Sequence, residues 1–245
     1  MSVMEFEICE YLSWDSDFFQ LLIARLIPNR LTPESMSMAE QWSRENRIDC
    51  LFFVAEVDDA LTVRLAEEHD FRLMDVRVTM DARLEDLPKR RAPECVRRFR
   101  AEDVPALQAL ARVSHRETRF YFDPGFPDES CDRLYDTWIK RSCEGWADAV
   151  FVADLGSGPV GYSTISKAAD GCGDFRLLAV DRGARGRGLG EELTSAVAEW
   201  CRDERLEKIR LVTQGRNQAM RLFTKFGLRV RTIQLWYHRW FSHPN

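Results

Sequence analysis

The ten residues DRGARGRGLG, Asp181 to Gly190, follow the apolar run Leu177–Val180 and lead straight into a helix-like pattern. Arg185, Gly188 and Gly190 stand at R-x-x-G-x-G spacing, with Gly186 and Arg187 between them. Glycines so placed let successive backbone N–H groups converge on one point, and a helix N-terminus adds roughly half a positive charge. That combination suits a pyrophosphate, and Arg182, Arg185 and Arg187 offer charge-assisted donors. The competing reading is a glycine turn with solvated arginines; the position directly after a buried strand favours the anion site. A Walker loop needs G-K-S/T, and a dinucleotide fingerprint needs G-x-G-x-x-G with an acid about 20 residues on. Neither pattern stands here, which disfavours kinases and dehydrogenases.

A second group of reactive side chains lies in SHRETRFYFD: His115, Arg116, Glu117, Arg119, Tyr121 and Asp123 beside Phe120 and Phe122. It reads either as a solvated helix end anchored by its phenylalanines or as a polar ligand site. In the terminal LWYHRW, alternation puts Trp236, His238 and Trp240 on one face and Tyr237 and Arg239 on the other. Aromatics there favour core or a homodimer interface over a ligand platform, and Tyr237 is retained as a candidate proton donor. The seven cysteines (9, 50, 95, 131, 143, 172, 201) are never spaced CxxC, and the histidines at 69, 115, 238 and 243 never fall at ligand spacing. Buried reduced thiols and no metal are expected.

These groups need a scaffold, and 245 residues at 45% hydrophobic and 31% charged hold one large domain or two modest ones. Residues 1–80 read as a small α/β unit: WDSDFFQ as a packing anchor, a helix after Thr32-Pro33, the buried strand CLFFVAEV, the helix LTVRLAEEHD and the strand FRLMDVRVTM. The charged, proline-bearing, aperiodic ARLEDLPKRRAPEC places a boundary at about residues 85–94, giving domains 1–90 and 91–245. Beyond it come the strand CVRRFR, a helix opened by Asp103-Val104-Pro105, the loop YFDPGFPDES and the helix SCDRLYDTWIKRSCEG. The strands DAVFVADL, PVGYSTISKA and FRLLAV follow, then the glycine loop and the helix EELTSAVAEWCRDE, with Leu193, Val197, Trp200 and Cys201 as its apolar stripe. The strand KIRLVTQ, a short helix and the strand VRTIQLWYHRW complete the domain.

Net charge is -5, yet residues 181–245 carry 13 Lys/Arg against 7 Asp/Glu. A basic segment on an acidic chain suits a local anionic ligand better than nucleic acid, which calls for a broad positive face. The longest apolar run, Cys50 to Ala55, is far short of the ~20 residues of a membrane span, and MSVMEFEICE lacks a signal peptide's basic and apolar parts. A cytoplasmic protein without membrane or nucleic-acid partners is expected.

RLLAVDRGARGRGLGEELTSAVAEW followed by RLVTQGRNQAMRLFTKFGLR resembles the acetyl-CoA-binding core of the GNAT superfamily of N-acetyltransferases over roughly residues 95–240. The resemblance implies an α/β fold with a mixed, mainly antiparallel sheet flanked by helices, preceded here by the smaller N-terminal α/β domain. It implies acetyl-CoA as co-substrate, held by Arg185, Gly186, Arg187, Gly188 and Gly190, by the backbone of Leu178, Ala179 and Val180 on a strand that splays from its neighbour, and by Asn217. WDSDFF, SHRETRFYFD, LYDTWI, VTQGRN and LWYHRW extend the likeness to the branch that acetylates TDP-fucosamine in enterobacterial surface polysaccharide synthesis. The implied reaction is acetyl transfer to the primary amine of a small acceptor, a nucleotide-linked amino sugar. Glu117 or His115 would bind or deprotonate the ammonium, Arg119 would meet the nucleotide diphosphate, and Tyr121 would line the acceptor site. The family's thiolate-protonating tyrosine, four residues before the glycine of Gly-Phe, is replaced here by Phe223, which leaves Tyr237, another hydroxyl or water as the proton source. A non-catalytic acyl-CoA-binding module and an acetyltransferase of a protein or antibiotic amine are the rival readings.

Overall fold

The computed structural model describes residues 7–91 and 93–242, and its elements follow the punctuation in the sequence. In chain order they are β1 (Cys9–Tyr11), α1 (Ser13–Phe19), β2 (Ile23–Leu26), α2 (Pro33–Glu45), β3 (Cys50–Glu56), α3 (Ala60–Glu68), β4 (Arg72–Arg83) and β5 (Val96–Arg98). There follow α4 (Val104–Ser114), α5 (Arg119–Phe122), α6 (Asp128–Arg141), β6 (Ala149–Asp154), β7 (Pro159–Lys167), β8 (Cys172–Val180), α7 (Leu189–Asp203), β9 (Lys208–Gln214), α8 (Ala219–Phe226) and β10 (Arg229–Trp240). Thr32 and Pro33 open α2: Ser35 N–H donates to Thr32 Oγ1 and Thr32 N–H to Ser35 Oγ, satisfying two otherwise orphaned donors. Asp59 caps α3 by accepting from Leu61 N–H.

The chain packs as two units that follow contacts rather than chain order. The first takes the described residues of 1–77, 122–125 and 233–245; the second takes those of 78–121 and 126–232. Strands β4 and β10 each begin in one unit and end in the other, so the units do not coincide with a single cut at about residue 90. The aperiodic segment belongs with the second unit. There the Arg202 guanidinium donates to the carbonyls of Leu84, Leu87 and Pro88, and Arg90 pairs with Glu191 and Glu192.

In the first unit the strand order is β1-β2-β3-β10, parallel between β2 and β3 and antiparallel elsewhere. Strand β3 is buried along most of its length, which is why CLFFVA reads as an unbroken apolar run. β1 and β2, of three and four residues, carry no legible period in the sequence. The helix α1 stacks Trp14 on Phe18 with ring centroids 5.3 Å apart. His238 lies opposite Phe52 and stacks on it at 4.3 Å. Asp123 accepts from His238 Nδ1 (2.6 Å), Trp240 Nε1 (3.0 Å) and Gly125 N–H (2.9 Å). A Cβ at Gly125 would stand 2.2 Å from the Trp240 ring, so only glycine admits this approach. Donor atoms of Cys50, Asp123 and His238 fall within 4.8 Å of one another, a grouping that linear histidine spacing hides.

In the second unit the order is β9-β8-β7-β6-β5, with β8 and β9 parallel and the other pairs antiparallel. The strands of each unit are thus mixed and mainly antiparallel, with helices against them. Leu193, Val197 and Cys201 form the buried stripe of α7, as their spacing predicts. The structure lengthens β8 back to Cys172 and starts α6 at Asp128, so YFDPGFPDES is loop only in part. All seven cysteines are free thiols, five of them buried; burial pushes Cys9 and Cys201 up to about 12. Among the described residues no helix is long and apolar enough to cross a membrane.

Burial alone would raise the Asp123 carboxyl, but its His238, Gly125 and Trp240 donors outweigh that and hold it below its ordinary value. A depressed carboxyl stabilises the fold above its unfolded pKa and loses that contribution as pH falls through the folded value. Asp123→Ala is expected to cost about 3 kcal/mol in chemical denaturation at pH 7, and the gap from wild type should narrow as pH drops below about 4. A pH-independent gap would mean that the carboxylate charge is not what holds the segment.

Candidate active site

Strands β8 and β9 pair from Cys172 with Lys208 to Phe175 with Leu211; β8 then continues to Val180 and β9 to Gln214 without further ladder partners between them. On its other side β8 stays paired to β7, with Tyr162 opposite Ala179, and Asp181 N–H bonds Val160 C=O at 2.8 Å. Bonded pairs alternate along an antiparallel ladder. Ala179 therefore turns its backbone groups to β7, and Leu178 and Val180 turn theirs to the side that β9 has left. An N–H without a partner in a partly enclosed cleft is a strong donor waiting for a ligand oxygen.

Those strand ends line a cavity of about 490 Å³. Its floor holds Leu178, Ala179 and Val180; one wall holds Ala184, Arg185, Gly186, Gly188, Leu189 and Gly190 at the start of α7. Gly186 and Gly188 have φ of +79° and +81°, and Gly188 is the N-cap of α7. This is left-handed backbone that glycine adopts without steric cost, and the first N–H groups of α7 face outward with no intrahelical acceptor. Gly190 serves differently: a Cβ there would meet Leu222 Cδ1 at 2.6 Å, so its bareness sets how closely α7 approaches α8. Arg185 lines the cavity and donates from Nε to Val180 C=O at 3.0 Å. Arg182 and Arg187 are exposed and do not line it, so this wall presents Arg185 and the loop backbone.

The opposite wall is Ser114, His115, Glu117 and Thr118, at the end of α4 and just beyond it. His115 Nε2 meets Tyr162 Oη at 2.7 Å, and its ring stacks on Tyr135 at 4.7 Å. Burial pushes His115 down to about 4, so it is neutral at pH 7. Glu117 is exposed to the cavity. Tyr135 Oη donates to Thr118 Oγ1 at 2.7 Å. Arg119 and Tyr121 do not line this space. Arg119 lies over the Phe120 ring, and Tyr121 Oη donates to Asp132, which also pairs with Arg116.

Asn217 lines the cavity at the start of α8, where its Oδ1 accepts from Ala219 N–H at 2.9 Å and its Nδ2 faces Gln214 Oε1 at 3.3 Å. Gln218, Ala219, Leu222 and Lys225 present the cavity face of α8. Phe223 lies on the other face, buried edge-on against Phe175 at 5.7 Å. Tyr237 is 1% exposed in the core of the first unit beside Phe53, and does not line the cavity. Tyr162, Tyr135, Ser114 and Thr118 were not singled out in the sequence. The signal for Tyr162 was its place next to Gly161 on the strand that must pair with the binding strand.

The cleft and the glycine nest fit a long ligand with a pyrophosphate, as the expected acetyl-CoA is. Gly188→Glu should lower acetyl-CoA affinity at least tenfold in titration calorimetry, through a strained positive φ and a carboxylate facing the phosphates. Unchanged affinity would place the pyrophosphate elsewhere.

With that geometry in hand, the similarities are informative. The acetyltransferase (GNAT) family model matches residues 110–228. The chain is 25% identical over 139 residues to the spore coat polysaccharide biosynthesis protein SpsD of Bacillus subtilis, covering 56% of this chain and 48% of that protein. It is 31% identical over 120 residues to a mycothiol acetyltransferase of Beutenbergia cavernae, covering 47% and 36%. The match thus spans half or less of the length of these relatives. A solved GCN5-related N-acetyltransferase from Sphaerobacter thermophilus superposes with TM-score 0.67 at 17% identity over 95% of this chain and 76% of that one, a likeness of fold. Residues 110–228 of the chain are thus similar to the acetyltransferase (GNAT) family.

Proposed function

We propose that the protein transfers the acetyl group of acetyl-CoA to the primary amine of a small acceptor, with a nucleotide-linked amino sugar as the acceptor class. The observation that carries this reading is the parting of β8 from β9 beside the glycine loop. Together they offer backbone donors for a thioester arm at one end and for a pyrophosphate at the other. The acceptor class draws on the relative named for spore coat polysaccharide biosynthesis and on the whole-chain resemblance described from the sequence.

In the reaction the amine nitrogen attacks the thioester carbonyl carbon, and negative charge grows on the oxygen. One N–H of the Leu178–Val180 edge, fixed by the β7 ladder, supplies stabilisation that needs no reorganisation. The C–S bond breaks, and the sulfur leaves as a thiolate with its bonding pair. A thiol of pKa about 8.5 leaves as its anion without obligatory acid help, which suits a site where Phe223 stands in the tyrosine position. The Glu117 carboxylate faces the cavity, attracts the cationic amine and takes one proton from it, so that the neutral amine attacks; the second N–H proton, released as the C–S bond breaks, goes to water or to the departing thiolate. The rival favoured by Phe223 is a module that binds acyl-CoA without turnover. Thiol release with a panel of amines and amino-sugar nucleotides separates the two.

Glu117→Gln should lower turnover about 10²-fold while leaving acetyl-CoA affinity within about twofold in calorimetry, since it removes a base and no cofactor contact. Phe223→Tyr should give no gain in thiol release and should cost stability, about 1–3 kcal/mol, by burying a hydroxyl against Phe175. A faster Phe223→Tyr enzyme would show that an acid at that position was missing after all.

A further inference from the structure

Tyr162 is fully buried, and its hydroxyl meets one partner among the described residues, His115 Nε2 at 2.7 Å. A buried hydroxyl left with its proton unshared costs about 1–3 kcal/mol, and its phenol, desolvated and held well above 10, keeps that proton throughout the working pH range. The O–H therefore donates to Nε2. A neutral imidazole has one N–H and one acceptor nitrogen, so Nε2 as acceptor puts the ring proton on Nδ1. The His115 ring is clamped between Tyr135 on its face and Tyr162 at its edge, and it lines the cavity on the wall opposite the glycine loop.

We infer that His115 is a specificity-determining hydrogen-bond donor: its Nδ1–H, fixed in that tautomer by Tyr162, contacts an uncharged hydroxyl or ether oxygen of the amine acceptor. Tyr162 is the positioning residue behind it. This inference rests on the acetyltransferase reading and assigns the acceptor a chemical class, a hydroxylated amine. The neutral donor is poorly suited to deprotonate or bind an ammonium, the roles considered for His115 from the sequence, and leaves those to the Glu117 carboxylate. The neighbouring wall has the same design, since Thr118 Oγ1 receives the Tyr135 hydroxyl, which leaves the threonine's own proton free to point at a second oxygen.

The ring nitrogen shifts of His115 in ¹⁵N-labelled protein test the tautomer without any substrate. At pH 7 the wild type should show a protonated Nδ1 and an unprotonated Nε2, and Tyr162→Phe should abolish that preference while the remaining spectrum stays native. An Nε2–H tautomer or an imidazolium in the wild type overturns the proposal and leaves the acetyltransferase reading intact. Turnover with glucosamine and with cyclohexylamine, matched as hydroxylated and bare amines, tests the contact. His115→Ala should lower kcat/KM for glucosamine about 3–10-fold, the worth of one neutral hydrogen bond, and spare cyclohexylamine. His115→Asn, whose amide N–H falls near the Nδ1 position, should restore most of the loss. Equal losses on both amines, or no rescue by asparagine, overturn the contact. Thiol release by the wild type with no amine of the panel overturns the acetyltransferase reading and the contact with it.

Discussion

A β-strand cannot leave its neighbour without exposing backbone groups, and the second unit depends on one such departure. Once β9 diverges after Leu211, Leu178 and Val180 have N–H and C=O groups with no strand to meet. The strand is nonetheless rigid, because β7 holds its other edge and Ala179 lies buried in register with Tyr162. Donors that are fixed and have no strand partner suit the oxyanion role proposed for this edge. The cleft also fixes where the remaining chemistry can occur, since the start of α7, the end of α4 and the cavity face of α8 all line the same space.

The glycine loop answers a different constraint. Gly186 and Gly188 are required by positive φ with open space around them, whereas Gly190 is required by the approach of Leu222. One motif thus serves backbone conformation at two positions and helix packing at the third. Behind it Arg202 and Arg90 tie the 84–90 segment to α7. The stretch that reads as a linker from composition acts as a strap on the helix whose N-terminus forms the nest.

Charge is kept sparse on the acceptor side. Arg116, Tyr121 and Asp132 satisfy one another away from the cavity, and His115 stays neutral through burial. Glu117 is the carboxylate that this wall presents, next to hydroxyl and imidazole donors. Such a wall suits the amine and neutral oxygens of the proposed acceptor's sugar.

The sequence alone determined the order of elements around the site, because local rules act there: turn residues, caps, and periods of 2 or 3.6 fix what each segment becomes. It also determined the glycine loop at the mouth of α7, since strand, glycines and helix are contiguous. It could not show that Arg119, Tyr121 and Tyr237 lie outside the lining of this cavity. Alternation can say that Tyr237 and His238 point to opposite sides of β10, not that Tyr237 fills the first unit's core. Tertiary structure decided the rest. Tyr162 and His115 are 47 residues apart and Asp123 and His238 are 115 apart, and neither pair has a local signature. Periodicity reports which face of an element is buried; which side chain it meets is set by strand register and helix packing, and those exist only once the chain has folded.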